Sequence, residues 1–501
     1  DPQPDRGTAR EFLLSDVPAM SKRRGEHMTR AMRSALAAIV AIAAIVIGHA
    51  RIVLAAPPTS PDWNKLDAEA LGYFQAYLRF DTTNPPGDTS AAIGFLKQIL
   101  DKEGIETQTF TSEPGMVNLV ARIAGPPGVK PLLLMSHADV VPAVAKDWKH
   151  PPFAADVADG YVWGRGAIDN KAHGIMALMT MLALKRQGTK LKRGVEMMVN
   201  ADEEAGGDNG AGWMAANHWD AFDPAFAMNE GGEATPNWLG SRGVTFRVAV
   251  SEKRVAWLRL VVHGKAGHGS MPNADNPNLI LINALARLLA SPPPFRLSPV
   301  FDEAMRTLAP KMDFPASFEL AHLSWPYMMD IAARGPLSKY TVQALMHDTV
   351  APTMLNAGMK VNVIPSTAEG GIDCRLLPDS DAGAFMRQLR ALLGPKVGIE
   401  FIQRPDPSPT SPTSGEAWDA IKAVVANDFV DTLVMPSLTS GGTDSRFLRV
   451  KGVPAYGFVP IILPPREAER IHGVDERLSI ENLNRGIRAT YDLTLKLCAA
   501  P

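Results

Sequence analysis

From Pro61 onward the apolar positions follow two alternating rhythms. "AAIGFLKQILDKEGI" (91–105) spaces them three and four apart, which predicts a helix with one buried face. "VNLVARIAG" (117–125) and "PLLLMSHADV" (131–140) predict strands, the second apolar enough for the middle of a sheet. "HGIMALMTMLALKRQG" (173–188) returns to a helix that stops at Gly188. "GVEMMVNADEE" (194–204) and "AFAMNEGG" (225–232) predict further strands, each followed by glycines and acidic residues. Such alternation of strands and helices is the pattern of an α/β domain.

Near residue 249 the rhythm changes. "VAWLRLVVHG" (255–264) alternates apolar and polar side chains, as a strand wet on one face does. A helix over 276–291, strands over 349–358 and 368–378, a helix over 381–394 and a strand over 398–404 follow. Together they make a strand–helix–strand–strand–helix–strand unit, interrupted by a long, Pro-rich and partly helical stretch near 296–345. The loop "PDPSPTSPTSG" marks its exit. "DTLVMPSLTSGG", "AYGFVPI" and a last helix then return to the first sheet. The expected organisation is an N-terminal extension (1–56), a first domain split into 57–248 and 407–501, and an insert (249–406).

The extension has its own pattern. "MTRAMRSALAAIVAIAAIVIGHARIVLAAPP" begins with Arg30 and Arg33, continues as an apolar run, and ends in small residues before Pro57. That order is expected of a secretory signal, with the mature chain starting near Ala56–Pro57 and the protein exported. A retained membrane anchor is the competing reading. Residues 1–27 precede Met28 and fit no element.

Composition narrows the class. A chain of 501 residues exceeds one ordinary domain, and 46% hydrophobic with 21% charged residues is the balance of a globular protein. A formal net charge of −2 argues against nucleic acid as a partner. Cys374 and Cys498 are the only cysteines, too few for a thiolate cluster, so any metal must sit on histidines and carboxylates.

Candidates for such chemistry stand at predicted strand ends and in the loops beside them. His137 and Asp139 end one strand and, two residues apart, point the same way, so Asp139 is expected to hydrogen-bond the His137 ring and fix its tautomer. Asp169 follows the glycine-rich turn "WGRG" ahead of a helix, Glu203 and Glu204 stand side by side after another strand, and Glu230 follows a third. His472 lies far downstream. Each alone has an ordinary reading: a solvated loop histidine, a helix N-cap, an acidic turn. Together, hard oxygen donors and imidazoles without thiols suit zinc or a similar divalent ion, and five ligands with one shared carboxylate match a pair of metals.

In order and wording, "SHADVVPA", "GRGAIDNK", "DEEAGG", "NEGG" and "HGVDERL" resemble the zinc exopeptidase and amidohydrolase family that includes carboxypeptidase G, aminoacylase and succinyl-diaminopimelate desuccinylase. "RFDTTNPPGD" and "HGKAGHGSMP" match too, so the resemblance covers essentially all of 60–495. "WKHPPFAADVADGYVWGRGAIDNK" looks most like the carboxypeptidase S and N-acyl-amino-acid hydrolase branch. The resemblance implies a mixed sheet flanked by helices, carrying a ferredoxin-like α+β insert that serves as lid and dimerisation domain. It implies two Zn²⁺ per subunit, with Co²⁺ or Mn²⁺ as substitutes in vitro. His137, Asp169 and Glu230 would hold one, and Asp169, Glu204 and His472 the other. Asn229 stands where many relatives carry an acidic residue, and the ligand role goes to Glu230.

Glu203 would be the general base. His268 would stabilise the oxyanion, in relatives often across a dimer. Asn362, Arg375 and the main chain at Gly441, Gly442 and Thr443 would bind the substrate's carboxylate end. The implied reaction is hydrolysis of an amide next to a free carboxylate in a short peptide or N-acyl amino acid. A biosynthetic deacylase and an inactive peptide-binding relative are the alternatives; a serine hydrolase is disfavoured because no G-x-S-x-G elbow occurs.

Overall fold

The structure, a computed structural model, describes residues 60–501. The export signal or anchor expected before Pro57 lies outside the described residues. Among the described residues no helix is long and apolar enough to cross a membrane.

The described residues form eighteen strands. They are β1 (Glu106–Thr111), β2 (Val117–Ile123), β3 (Leu132–His137), β4 (Asp156–Ala158), β5 (Tyr161–Trp163), β6 (Val195–Asn200), β7 (Phe226–Asn229), β8 (Ala234–Pro236) and β9 (Val244–Glu252). There follow β10 (Arg254–His263), β11 (Gly267–His268), β12 (Thr349–Ala357), β13 (Val363–Ile364), β14 (Thr367–Leu376), β15 (Gly398–Gln403), β16 (Thr432–Thr439), β17 (Ala455–Gly457) and β18 (Arg477–Ser479). The large sheet has the order β1-β2-β6-β3-β7-β17-β9-β16, with β8 beside β9. Strands β6, β3 and β7 run parallel at its centre, so their carboxyl ends share one edge. All side chains of β3, β6 and β7 are buried, which is why these stretches are largely apolar.

The helix Lys171–Gln187 is buried from its first residue through Leu184. It packs against β3 and β6 on one side and the helices Trp63–Leu78 and Ile480–Cys498 on the other, and so is apolar all round. Gly188 ends it in the left-handed conformation, at φ 59°, and donates to the carbonyls of Leu184 and Lys185.

The insert is a four-stranded antiparallel sheet, β12-β14-β10-β15. Ala256, Leu258, Leu260 and Val262 of β10 face a core completed by the helices Pro277–Leu289 and Ala382–Leu393. The alternation seen in the sequence is this two-faced strand. The fold is thus the expected α/β catalytic domain with a ferredoxin-like insert.

Two features differ from expectation. The chain leaves the large sheet after Glu252 rather than at 249, because β9 pairs in parallel with β16 along its whole length. Within the stretch near 296–345, the helices Pro299–Leu308, Ala316–Ala321, Met328–Arg334 and Tyr340–Gln343 build a separate apolar core. Leu433 and Met435 of the edge strand β16 join that core, so the segment packs on one face of that strand.

Candidate metal centre

Three parallel strand ends and two loops meet at the carboxyl edge of the large sheet. His137 is the last residue of β3; Glu203 and Glu204 follow β6; Glu230 follows β7. Asp169 arrives on the loop between β5 and the helix Lys171–Gln187, and His472 on the loop before β18.

The resulting geometry is two trios that share one member. His137 Nε2 lies 3.1 Å from Asp169 Oδ1 and 3.2 Å from Glu230 Oε2. His472 Nε2 lies 3.1 Å from both Asp169 Oδ2 and Glu204 Oε2. In each trio one ligand atom per residue lies within 4.8 Å of the others. Asp169 therefore turns a different oxygen to each imidazole.

Electrostatics follow from this crowding. Burial disfavours a charged His137, yet the charge of Glu230 and hydrogen bonds with Asp139, Asp169 and Glu230 raise its pKa well above the ordinary value. His472 is pushed up to about 10, first by its hydrogen bond to Asp169 and then by that to Glu204. Burial raises Asp169, but hydrogen bonds to the two histidines outweigh it and hold the carboxyl far below its usual range. Burial and then the charge of Glu230 push Glu203 well upward. The site is an excess of carboxylates that demands cations.

The residues fit a pair of divalent metals. Glu204 Oε1 is buried with no hydrogen-bond partner, an unsatisfied acceptor in a cluster of acceptors. The donors are carboxylate oxygens and imidazole nitrogens with no thiol nearby, and His472 stays 53% exposed on the open side. A cavity of about 430 Å³ opens there, walled by Asp169, Glu204, Glu230 and His472, by Glu203 and Glu233, by the aliphatic Ile168, Val459, Ile461, Leu463 and Ile471, and by the loops at Gly231 and Gly441–Thr443.

Supporting contacts revise several expectations. The His137 ring is fixed through the main chain: Nδ1 lies 2.9 Å from the Asp139 carbonyl, which only accepts, so Nδ1 keeps its proton and Nε2 is the nitrogen that would give up its own to a cation. The Asp139 carboxylate lies 3.5 Å from Nδ1 as well, and accepts the amides of Glu203 at 3.1 Å and Glu204 at 3.2 Å and the Asn84 side chain at 2.8 Å. It anchors the acidic loop. Asn170, which carried no signal of its own, donates to Glu230 at 2.7 Å and accepts the amide of His137 at 3.0 Å, tying two ligands together.

Substrate-end residues are divided. Gly441, Gly442 and Thr443 line the cavity, but the Thr443 amide donates to the buried Glu252 carboxylate and is not free for a substrate. Arg375 lies in the insert beside Val255, away from the cavity wall, and its Nε and Nη2 donate to Asp373 at 2.7 and 3.0 Å. His268 and Asn362 come together on the small β11–β13 ribbon, where the Asn362 carbonyl accepts the Gly269 amide, but neither lines this cavity. The reason is reach: β10 carries the chain ten residues, roughly 30 Å, from its start at Arg254 before that ribbon forms.

Comparison with known proteins agrees with this architecture. Residues 133–496 match the model of peptidase family M20/M25/M40. A probable carboxypeptidase S-like 2 of Dictyostelium discoideum is 31% identical over 73% of this chain and 71% of its own. Aminoacylase-1 of Sus scrofa is 31% identical over 85% of this chain and 95% of its own. Among solved structures, the M20 family metallo-carboxypeptidase Sso-CP2 of Sulfolobus solfataricus shares the fold, with a TM-score of 0.65 at 19% identity over 86% of this chain and 99% of that one. The chain belongs to peptidase family M20/M25/M40.

Proposed function

We propose that this protein is a two-zinc hydrolase that cleaves the amide bond next to a free carboxylate in short peptides or N-acyl amino acids. The observation that carries the reading is Asp169 between His137 and His472, with Glu203 beside it. The carboxypeptidase and aminoacylase names of its relatives support the substrate class.

His137, Asp169 and Glu230 would hold one cation and Asp169, Glu204 and His472 the other. When bound, the pair supplies Lewis-acid polarisation of the carbonyl and a more acidic water. Glu203 takes a proton from the water as its oxygen bonds to the amide carbon, and returns it to the nitrogen as the C–N bond breaks. Two features of Glu203 suit it to this role. Its carboxylate makes no hydrogen bond or ion pair among the described residues, and burial raises its basicity. The free amides of the Gly441–Gly442 loop receive the substrate carboxylate, and the aliphatic wall receives its apolar part.

His268 contributes to the site of a second copy rather than to its own. The exposed edge strand β12, with Met354 and Leu355 each 66% exposed, is the surface for that homodimer. The protein acts outside the cytoplasm after export by the segment ahead of Pro57, with anchorage by that segment as the other form.

The test is hydrolysis by zinc-loaded protein of a panel of N-acyl amino acids and dipeptides, each with its carboxylate free or amidated. Cleavage of the free acids alone supports the proposal. Cleavage of the amides at equal rate, or of nothing, defeats it.

A further inference from the structure

We infer that Glu476 is a positioning residue that pre-sets the bridging ligand Asp169 and, through it, couples the two metal sites; the inference rests on the dinuclear reading above. Glu476 is fully buried. Its Oε2 accepts from Arg165 Nη1 at 2.7 Å and from the Gly166 amide at 3.0 Å. Its Oε1 accepts from the amides of Ile168 at 2.7 Å and Asp169 at 3.0 Å.

These contacts join the two ligand-bearing loops. Strands β5 and β18 pair antiparallel, Trp163 opposite Arg477, so the chain runs from the end of β5 into the metal centre and returns from it into the start of β18. One loop ends in Asp169; the other contains His472. The Glu476 carbonyl accepts the Gly164 amide, and Arg165 Nη2 reaches the Gly473 carbonyl at 2.8 Å. The irregular segment 164–169 thus turns four N–H groups inward, and one side chain from the neighbouring loop answers all four.

All four partners donate, so the group must be an ionised acceptor. A glutamine would turn its –NH₂ to two N–H groups whichever way it faced. A buried ion pair is a poor source of stability compared with apolar packing. What the Glu476 carboxylate achieves here is local order: it holds the main chain at the residue whose two oxygens serve both trios. Without such a hold, three ligand carboxylates and Glu203 would repel one another apart before any cation arrived. Changes to groups that orient metal ligands cost about 10–100-fold in affinity.

The experiment is zinc titration against a competing chelator, together with the visible spectrum of the Co²⁺-loaded protein, for wild type, Glu476→Gln and Arg165→Met. The expected result is that Glu476→Gln weakens both sites together by at least about tenfold and alters the Co²⁺ spectrum. Arg165→Met keeps the amide acceptor and is expected to lower the melting temperature while holding metal affinity within about threefold. Wild-type affinity in Glu476→Gln, or an equal loss in Arg165→Met, overturns the inference and leaves Glu476 a fold-stabilising partner of Arg165.

Should Glu476→Gln not fold, hydrogen exchange on the metal-free wild type decides. Protection of the Ile168 and Asp169 amides supports pre-setting, and their free exchange refutes it. A protein that binds two zincs normally yet hydrolyses nothing defeats the proposed activity while leaving this inference standing.

Discussion

The main-chain amide of Glu203 donates to the Asp139 carboxylate at 3.1 Å, which fixes the direction in which the acidic loop leaves β6. The neighbouring Glu204 amide uses the other oxygen, so one carboxylate orients a ligand and a base together. Asp139→Asn presents an –NH₂ to one of those amides. The variant is expected to fold, and kcat/KM is expected to fall about 10–100-fold, mostly in kcat. Steady-state kinetics on zinc-loaded protein measures this; a change within twofold would remove Asp139 from the support of the site.

Glu203 and Glu204 are adjacent but unequal, because only Glu204 approaches His472. Glu203→Gln should retain both zincs while turnover drops about 10²–10⁴-fold. Metal analysis beside single-turnover rates checks it. Loss of a zinc from Glu203→Gln would mean that the two roles are exchanged.

Protons and metals compete for the same nitrogens. In the metal-free protein carboxylates hold His137 well above its usual pKa and His472 near 10, so both are charged at neutral pH. Cation binding must release one proton from each imidazole, and zinc affinity must rise with pH up to the His472 value. Proton release in weak buffer during zinc addition reads this directly. A pH-independent affinity between pH 6 and pH 9 would exclude both histidines as ligands.

Gly232 sits where the chain passes from Glu230 to β8, and a Cβ there would run into the carbonyls of Gly457 and Arg247. Gly232→Ala is expected to cost about 1–3 kcal/mol of unfolding free energy through overpacking. Chemical denaturation measures it. An unchanged midpoint would show that the turn has slack.

What the sequence revealed of this site follows from locality. His137, Glu204 and Glu230 stand at or just beyond the ends of apolar runs, and a run's end is where a buried parallel strand delivers its last side chains. Asn84, Asn170, Glu252 and Glu476 carried no such mark. Their partners are set by tertiary contact, as when Glu476 meets Asp169 across 307 positions. A polar residue buried for a distant amide looks like any other until the chain is folded. Arg375 shows the same limit: its motif is plain in the sequence, but its pairing with Asp373 depends on two strand positions that face the same way. The helices between Pro299 and Gln343 were read only as a Pro-rich, partly helical stretch, since their short apolar stripes face a core of their own.

The central claim is that Asp169 lies between two cations. Anomalous diffraction at the zinc edge from crystals of the loaded protein tests it most directly. The account predicts two peaks about 3.5–4 Å apart, one beside His137 and Glu230 and one beside Glu204 and His472, with an Asp169 oxygen on each. A single peak, or peaks that leave Asp169 out of either coordination sphere, would contradict it.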